Sequence, residues 1–498
     1  MRRMVWGAVA GLAVAVGSCQ LLPEKYAVNA PLGHLLFSRG ADAPDAETVE
    51  ARIRAPAGFT VGVWADGLPN VRMLRFTPAG DLLASLPRAG EVVLLERDAD
   101  GDGASDGRRP LLADLDRPHG LDLHDGWLYV AEMGAVARVR FDAEARQVGG
   151  APERVVTGLP SGGNHWTRTV RFGPDGWLYV SIGSSCNVCI ERDPRRAALV
   201  RYRPDGSGEE IHATGLRNAV GFDWRPDTGE LYATDNGRDL LGDDFPPCEL
   251  NRIERGGFYG WPFANGDRIP DPDLGAGRER EIADSIPPVH GFRAHNAPLG
   301  IAFARGGRVP EAYRGAALVA LHGSWNRTRK DGYRVVSLHW GPGGIEERDF
   351  LVGFEQDGHV IGRPVDVAEG PDGAFYVSDD YAGVVYRVAF EGGGARGSAA
   401  APARREISGD PLGSLDAAER TARAARGESL YQAHACAACH GAEPPPGVVA
   451  KPLAGLAGRH DLASLEALLA TPTPPMPALP LSPVERRDLA VYLFERHP

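Results

Sequence analysis

The chain has 498 residues, room for about three ordinary domains or for one large repeat domain with a small companion. Its net charge of −12, without a basic block, excludes a Lys/Arg stripe for polyanions, so nucleic acid is not an expected partner. With 24% charged and 43% hydrophobic residues wholesale disorder is excluded as well, and 64 glycines and 40 prolines point to many short strands joined by many turns.

Arg2 and Arg3 precede an apolar run, Val5 to Val16, too short to span as a stable helix. This predicts a secretory signal peptide over residues 1–19. It ends in Val16-Gly17-Ser18-Cys19, which resembles a bacterial lipobox. Small residues there admit the peptidase, and the Cys19 thiol would carry the lipid. The alternative is ordinary cleavage nearby with Cys19 left as a thiol. Gln20 after the cysteine resembles lipoproteins sorted to the outer membrane. The expectation is a periplasmic protein held at the membrane by a lipid anchor alone, with residues 20–54 as a tether.

One phrase then recurs, a short apolar run, a Pro-Asp-Gly-like turn and an apolar or aromatic run. Copies begin at Leu74, Leu121, Phe172, Phe222, Leu299 and Val367; the one at Leu299 is degenerate. Each reads as a hairpin. Six copies spaced by about 45 to 75 residues predict an all-β six-bladed propeller over 55–390, rather than six unrelated hairpins in a sandwich.

Several propeller motifs carry chemistry. Asp98 to Asp106 starts like an EF-hand but has Arg109 where the twelfth-position Glu belongs, so it is either a peripheral calcium loop or a solvated turn. His119 sits at a blade-edge turn, facing a substrate funnel or simply structural. Asn164-His165-Trp166-Thr167-Arg168 precedes a strand, and an imidazole there titrates near working pH. Cys186-Asn187-Val188-Cys189 lacks the partner pair of a zinc site, so a local disulfide is the favoured reading; with Cys248 the three thiols allow one disulfide and one free thiol, or some other pairing. Gly215-Leu216-Arg217-Asn218, Ser324-Trp325-Asn326-Arg327 and Gly362-Arg363-Pro364 bring forked donors that suit carboxylates. The stretch from Asp235 to Asn251 is crowded with oxygen ligands that suit Ca²⁺, among them Asp243, Asp244 and Glu249.

These motifs resemble the soluble PQQ-dependent glucose/sorbosone dehydrogenases, the sorbosone-type branch most closely, over about residues 55–390. The resemblance implies that His165 is the general base and that pyrroloquinoline quinone (PQQ) is held by Arg217, Asn218, Arg327 and Arg363, with Asn326, Trp325 and Arg168 beside it. It also implies that Gly237 and Arg238 carbonyls hold a Ca²⁺ bridging to PQQ, while Asp243, Asp244 and Glu249 serve structural calcium. Two departures stand out. Asn164 replaces the Asp that precedes the base in the best-known glucose enzymes. Asn326 with Arg327 occupies the slot of a cofactor Lys.

A Gly-rich linker covers 391–418, and an Ala/Arg/Glu-rich helix is expected from Leu415 to Ala433, another from Ser482 to Arg496. Between them Cys436-Ala437-Ala438-Cys439-His440 is a c-type haem attachment sequence, with Cys436 and Cys439 for the vinyl groups and His440 for the iron. Met476, flanked by Pro475 and Pro477, is the expected second ligand, ahead of His434, His460 and His497. Residues 419–498 resemble a small all-α class I cytochrome c. The whole then reads as a quinohaemoprotein dehydrogenase. A sugar, sugar aldehyde or polyol is its substrate, and a further cytochrome or quinone is the electron acceptor. The rivals are a six-bladed calcium lactonase and a non-catalytic electron-transfer or binding lipoprotein. The cytochrome domain argues against the hydrolase, which has no use for it.

Overall fold

The computed structural model describes residues 23–29, 40–306, 309–390, 410–413, 415–434, 436–440, 462–470 and 479–497, and the single positions 453, 456, 460 and 472. The signal peptide with Cys19, most of the linker, Met476 and the side chain of Cys439 lie outside the described residues. The chain divides into two compact units, Met1–Ala401 and Pro402–Pro498.

The first unit is the expected six-bladed propeller. Blade 1 is Leu74–Phe76, Leu82–Leu86, Glu91–Glu96 and Gly107–Leu112. Blade 2 is Leu121–His124, Trp127–Ala131, Ala135–Asp142 and Gln147–Thr157. Blade 3 is Arg168–Phe172, Leu178–Ile182, Ala198–Tyr202 and Glu210–Thr214, with Gly257–Phe258 added parallel at its outer edge. Blade 4 is Ala219–Trp224, Leu231–Asp235, Cys248–Ile253 and His290–Phe292. Blade 5 is Pro298–Phe303, Ala317–Leu321, Arg334–Gly341 and Gly344–Leu351. Blade 6 takes Pro364–Glu369, Phe375–Asp379 and Val384–Phe390 from the end of the unit and its fourth strand, Phe59–Ala65, from the start.

That last pairing, antiparallel with Phe59 opposite Phe390, closes the ring and leaves no open seam between the ends. The sequence repeats are the first two strands of each blade. In blade 3 the turn Pro174-Asp175-Gly176 has Gly176 at φ 75°, which an L side chain rarely adopts. The degenerate copy is explained by blade 5, where the segment 304–316 replaces the tight turn. Strand interiors are buried on both faces because neighbouring blades stack, as in Leu82–Leu86 and Ala317–Leu321, each buried throughout. Part of the expected tether belongs to this unit. Asp45 caps a helix, Ala46–Arg52, whose Val49 joins Ile53 and Phe59 in the core.

The second unit is helical: Ala417–Ala433, Ala437–His440, Leu462–Ala470 and Pro483–Arg496. Asp416 caps the first helix, and Ser482 with Glu485 forms a capping box on the last. These two long helices cross at Gly427, where a Cβ would stand 2.2 Å from the Asp488 carbonyl oxygen. Buried Asp488 accepts from Arg423 at 2.7 Å and Arg426 at 2.6 Å, fixing that crossing. Among the described residues, no helix is long and apolar enough to cross a membrane.

Candidate functional site

The six innermost strands run the same way along the propeller axis, so residues just ahead of each gather at one end. This entry end collects Arg72, His119, His165, Asn218, Asn296 and Arg363, one from each blade, none more than three residues before its strand. Contacts run round the ring. His119 packs edge-on against Trp166, Asp380 pairs with Arg72, and His322 meets both Asp380 and Arg363.

His165 is held by its back. Its Nδ1 lies 2.9 Å from both the carbonyl oxygen and the hydroxyl of Ser184. A carbonyl can only accept, so Nδ1 carries the proton and Nε2 keeps a lone pair. Burial and the charge of Arg217 push the imidazole pKa down to about 3, so the ring is neutral at working pH. Asn164, which stands where the best-known glucose enzymes have an Asp, is exposed, and Ser184 orients the ring. The nearby carboxylate is Asp239, which favours the protonated ring. Gly183 sits between His165 and Asn218. A Cβ there would stand 2.5 Å from Asn218 Oδ1 and 2.6 Å from the His165 Cβ, so glycine is what lets the two approach. Arg168 is fully buried behind the loop and donates to the carbonyls of Pro160, His165 and Thr167.

Arg217 has a different task from the one expected. Its five N–H groups go to Asn187 O, Asn236 O, Gly237 O, Asn187 Oδ1 and Asp239 Oδ2, all at 2.8–3.1 Å. With every donor taken, it frames the loop around Gly237 and offers nothing free to a ligand carboxylate. Arg238 likewise pairs with Asp271 at 2.7 Å and Asp273 at 2.8 Å. Arg327 donates to the Asp243 and Ala294 carbonyls. Asn326 accepts from Leu240 N at 2.7 Å and donates to the Lys25 and Ala27 carbonyls, and Trp325, 41% exposed, accepts from Asn29 N. Asn326 and Trp325 thereby tie residues 25–29 to the blade 5 loop.

Three expected metal ligands are not brought together. Asp243 caps Thr328, and the Asp244 side chain is 88% exposed. Glu249 is buried, its carboxylate accepting from Asn251 and Gly266. The partner that sequence reasoning missed is Asp235, one strand over and directly opposite Glu249 in the register. Burial pushes both carboxyl groups up, and their like charges add to it at Asp235. A small void of about 20 Å³ adjoins them, lined also by Asn236, Gly237 and Asn265. Two crowded acids beside a water-sized space and carbonyl oxygens suit a hard cation. The Asp98, Asp100 and Asp106 carboxylates also gather, but they cap backbone N–H groups of their own turn.

At blade 6, Arg363 Nη2 lies 2.9 Å from His322 Nδ1, and His322 Nε2 lies 2.9 Å from Asp380. Burial and Arg363 lower the His322 pKa to about 4, so neutral His322 accepts from Arg363 and donates to Asp380. Around this end His119 Nε2, Asn218 Oδ1 and Asn296 Oδ1, from three blades, are buried without hydrogen-bond partners. Such atoms are costly unless a ligand or water meets them. This is the observation that fits a polar cofactor here. Cys186 and Cys189 form the expected local disulfide, and Cys248 is a buried thiol whose pKa burial pushes up to about 11.

The far end of the axis holds a cavity of about 1030 Å³. Its guanidinium groups are matched within the protein: Arg75 with Asp122 at 3.0 Å, Arg171 with Asp223 at 3.1 Å and Arg305 with Asp223 at 2.8 Å.

In the helical unit His440 ends the short helix that starts beside Cys436, and its backbone N–H donates to the Cys436 carbonyl at 2.9 Å. One helical turn thus carries the thiol and the imidazole, a donor set that fits covalent haem c.

A family model described as TrAA12-like matches residues 53–245 and 279–390, and one described as cytochrome c oxidase, cbb3-type, subunit III matches 422–493. An uncharacterised protein of Borreliella burgdorferi is 33% identical over 292 residues, 56% of this chain and 76% of that protein. An aldose sugar dehydrogenase of Escherichia coli is 26% identical, with 46% of this chain and 61% of its own length covered. A pyrroloquinoline quinone-dependent pyranose dehydrogenase of Coprinopsis cinerea is 24% identical, with 59% and 46% covered. The chain therefore spans about half to three quarters of these relatives. Among solved structures, a calcium structure of the Trichoderma reesei family AA12 enzyme superposes with a TM-score of 0.60 at 23% identity, over 68% of this chain and 97% of that one. The holo PQQ domain of the Coprinopsis cinerea pyranose dehydrogenase gives 0.58 at 21%, over 68% and 97%. These likenesses carry the propeller fold.

Proposed function

The chain belongs to the TrAA12-like family, and on that premise we propose that it is a quinohaemoprotein dehydrogenase oxidising a sugar, sugar aldehyde or polyol. The names of the Escherichia coli and Coprinopsis cinerea relatives support the reaction class, and the cytochrome domain supports onward electron transfer. When bound, PQQ supplies a quinone that accepts a hydride equivalent, and haem c carries electrons singly to a further acceptor.

The chain's own residues do the rest. His165 Nε2, open and neutral, accepts the substrate hydroxyl proton, while Ser184 holds the ring in that tautomer. Arg363, oriented by His322 and Asp380, brings positive charge to the acidic cofactor, while His119 Nε2, Asn218 Oδ1 and Asn296 Oδ1 are acceptors for N–H or O–H groups of cofactor or substrate. Arg217, Arg168, Asn326 and Arg327 frame the loops that carry those groups. Asp235, Glu249 and the Gly237 carbonyl would hold Ca²⁺, and Cys436, Cys439, His440 and Met476 would hold the haem. The reading of a periplasmic, lipid-anchored protein rests on the lipobox-like Val16 to Cys19 and is tested by labelled-lipid incorporation, which Cys19→Ser should abolish.

The observation that carries this reading is the fixed tautomer of His165, which presents a bare Nε2 where polar atoms of several blades lack partners. The test is reconstitution. The purified full chain receives PQQ and Ca²⁺, then individual aldoses, ketoses and polyols, while haem absorbance is followed. Reduction that needs both PQQ and a sugar supports the proposal. Hydrolysis of a lactone with no haem reduction would favour the lactonase instead.

A further inference from the structure

We propose that Asn187, held at the tip of the loop closed by the Cys186–Cys189 disulfide, is the positioning residue that joins the His165 side of the site to the Gly237 side. The inference rests on reading His165 as the proton acceptor.

Asn187 meets three separate loops. Its Oδ1 accepts from Arg217 Nη2 and from Asp239 N, both at 2.8 Å. Its Nδ2 donates to the Asp239 carbonyl at 2.9 Å. Its own carbonyl accepts from Arg217 Nε at 2.9 Å and Trp261 Nε1 at 3.3 Å. Arg217 in turn holds the Asn236 and Gly237 carbonyls. Three residues earlier Ser184 holds His165, and the Ser184 hydroxyl donates to the Cys186 carbonyl at 2.7 Å. Ser185 O accepts from Asn164 N, and Ser185 donates from both N and Oγ to Glu191. One short loop, closed by a disulfide across a separation of three residues, therefore grips the base on one side and the carbonyl loop on the other.

The chemistry explains why this residue is an asparagine. The position needs an acceptor for two donors and a donor for one carbonyl on one short planar group. Aspartate keeps the acceptors but has no donor for the Asp239 carbonyl, and it brings a second negative charge beside Asp239. Glutamine is one methylene too long for all three. The disulfide restricts the Cys186–Cys189 turn that carries Asn187, and the Ser184 hydroxyl bond to the Cys186 carbonyl ties Ser184 to that turn. Small displacements matter here, since a shift of about 1 Å in a reacting group can cost about a hundredfold in rate.

The test uses the full chain and compares Asn187→Ala, Asn187→Asp and the Cys186→Ser/Cys189→Ser double variant with the wild type. Two readouts are taken. The first needs no substrate: ¹⁵N-histidine NMR of the imidazoles, with His165 assigned by its loss in His165→Ala. The wild type should show the Nδ1–H form at His165, and the variants a mixture of the two neutral forms. The second is sugar-driven haem reduction. In the variants kcat should fall about tenfold or more with KM within about twofold, and the isotope effect on kcat for sugar deuterated at the oxidised carbon should rise. Asn187→Asp, which keeps both acceptor contacts, should fall between wild type and Asn187→Ala. Folded variants with the wild-type tautomer, unchanged kcat and unchanged isotope effect would overturn the proposal. If Asn187→Ala does not fold, Asn187→Asp and the serine pair decide it by the same criteria. If no sugar reduces the haem of the wild type, the dehydrogenase reading fails while the tautomer measurement still settles the role of Asn187.

Discussion

The two ends of the propeller axis are built from the same six strands and differ in how they treat charge. At the far end the guanidinium groups around a large cavity are met by carboxylates, Arg75 by Asp122 and Arg171 and Arg305 by Asp223. At the entry end His119, Asn218 and Asn296 leave buried polar atoms without partners, and His165 turns a lone pair outward. The difference teaches that the size of a hollow does not mark a reactive site. Groups held ready and left unmatched do, because folding has not used their interaction energy.

This contrast can be broken from either side. The largest effect expected is at His165. His165→Ala should lower turnover by about 10² to 10⁴, the range for a positioned general base, with PQQ affinity retained by fluorescence titration. At the far end the direction is reversed. Arg171→Met removes one partner of a buried ion pair and should cost about 3 kcal/mol in denaturant unfolding, tempered because Arg305 still pairs with Asp223, while kcat stays unchanged. A loss of turnover in folded Arg171→Met would mean that the two ends are not independent.

Calcium sharpens the comparison next. The carboxyl groups of Asp235 and Glu249 have raised pKa values, so above their ordinary range they cost stability that a bound cation offsets. Ca²⁺ should raise the melting temperature of the wild type, and Glu249→Gln should remove most of that rise. A full rise in Glu249→Gln would place the cation elsewhere.

The pH dependence follows from the histidines. His119, His165 and His322 all have folded pKa values below 6.5, so the unfolded chain binds protons that the folded chain refuses. Stability should fall as pH drops below about 6.5, by up to about 1.4 kcal/mol per pH unit for each such histidine, until the folded ring itself titrates. For His165 that limit is about pH 3. The acid limb of kcat should show no inflection near 6.5, and one that His165→Ala removes would show that the ring is not held neutral. The smallest effect belongs to Asp366 at the far end. Burial raises its pKa to about 6, so its stability penalty grows as pH rises from its ordinary range through 6. Asp366→Asn should be stabilising above pH 6, near neutral below 4 and silent in turnover.

Much of this architecture was legible in the sequence because it is local. Pro-Asp-Gly-like turns marked the first hairpin of five of the six blades, and residues ahead of those hairpins gather at one end by topology alone. Hence His165, Asn218 and Arg363 could be named together. The closing strand Phe59–Ala65 could not be placed, because its partner lies over 300 residues away in sequence. Guanidinium commitments were equally hidden. Arg217 reads as a ligand donor until five acceptors from two loops are seen around it. Asp243 and Asp244 stood close in sequence to Glu249, whereas its true neighbour Asp235 comes from strand register. Asn164 replaces the Asp expected before the base, but Ser184, nineteen residues after His165, supplies the orientation.

The most direct measurement is anaerobic stopped-flow mixing of PQQ- and Ca²⁺-loaded full chain with an oxidisable sugar, following the haem band in wild type and His165→Ala. Sugar-dependent haem reduction in the wild type, slowed at least about a hundredfold in His165→Ala while a chemical reductant still reduces both equally, is the predicted result. Equal rates of sugar-driven reduction in the two proteins, or none in a wild type shown to hold PQQ, would contradict it.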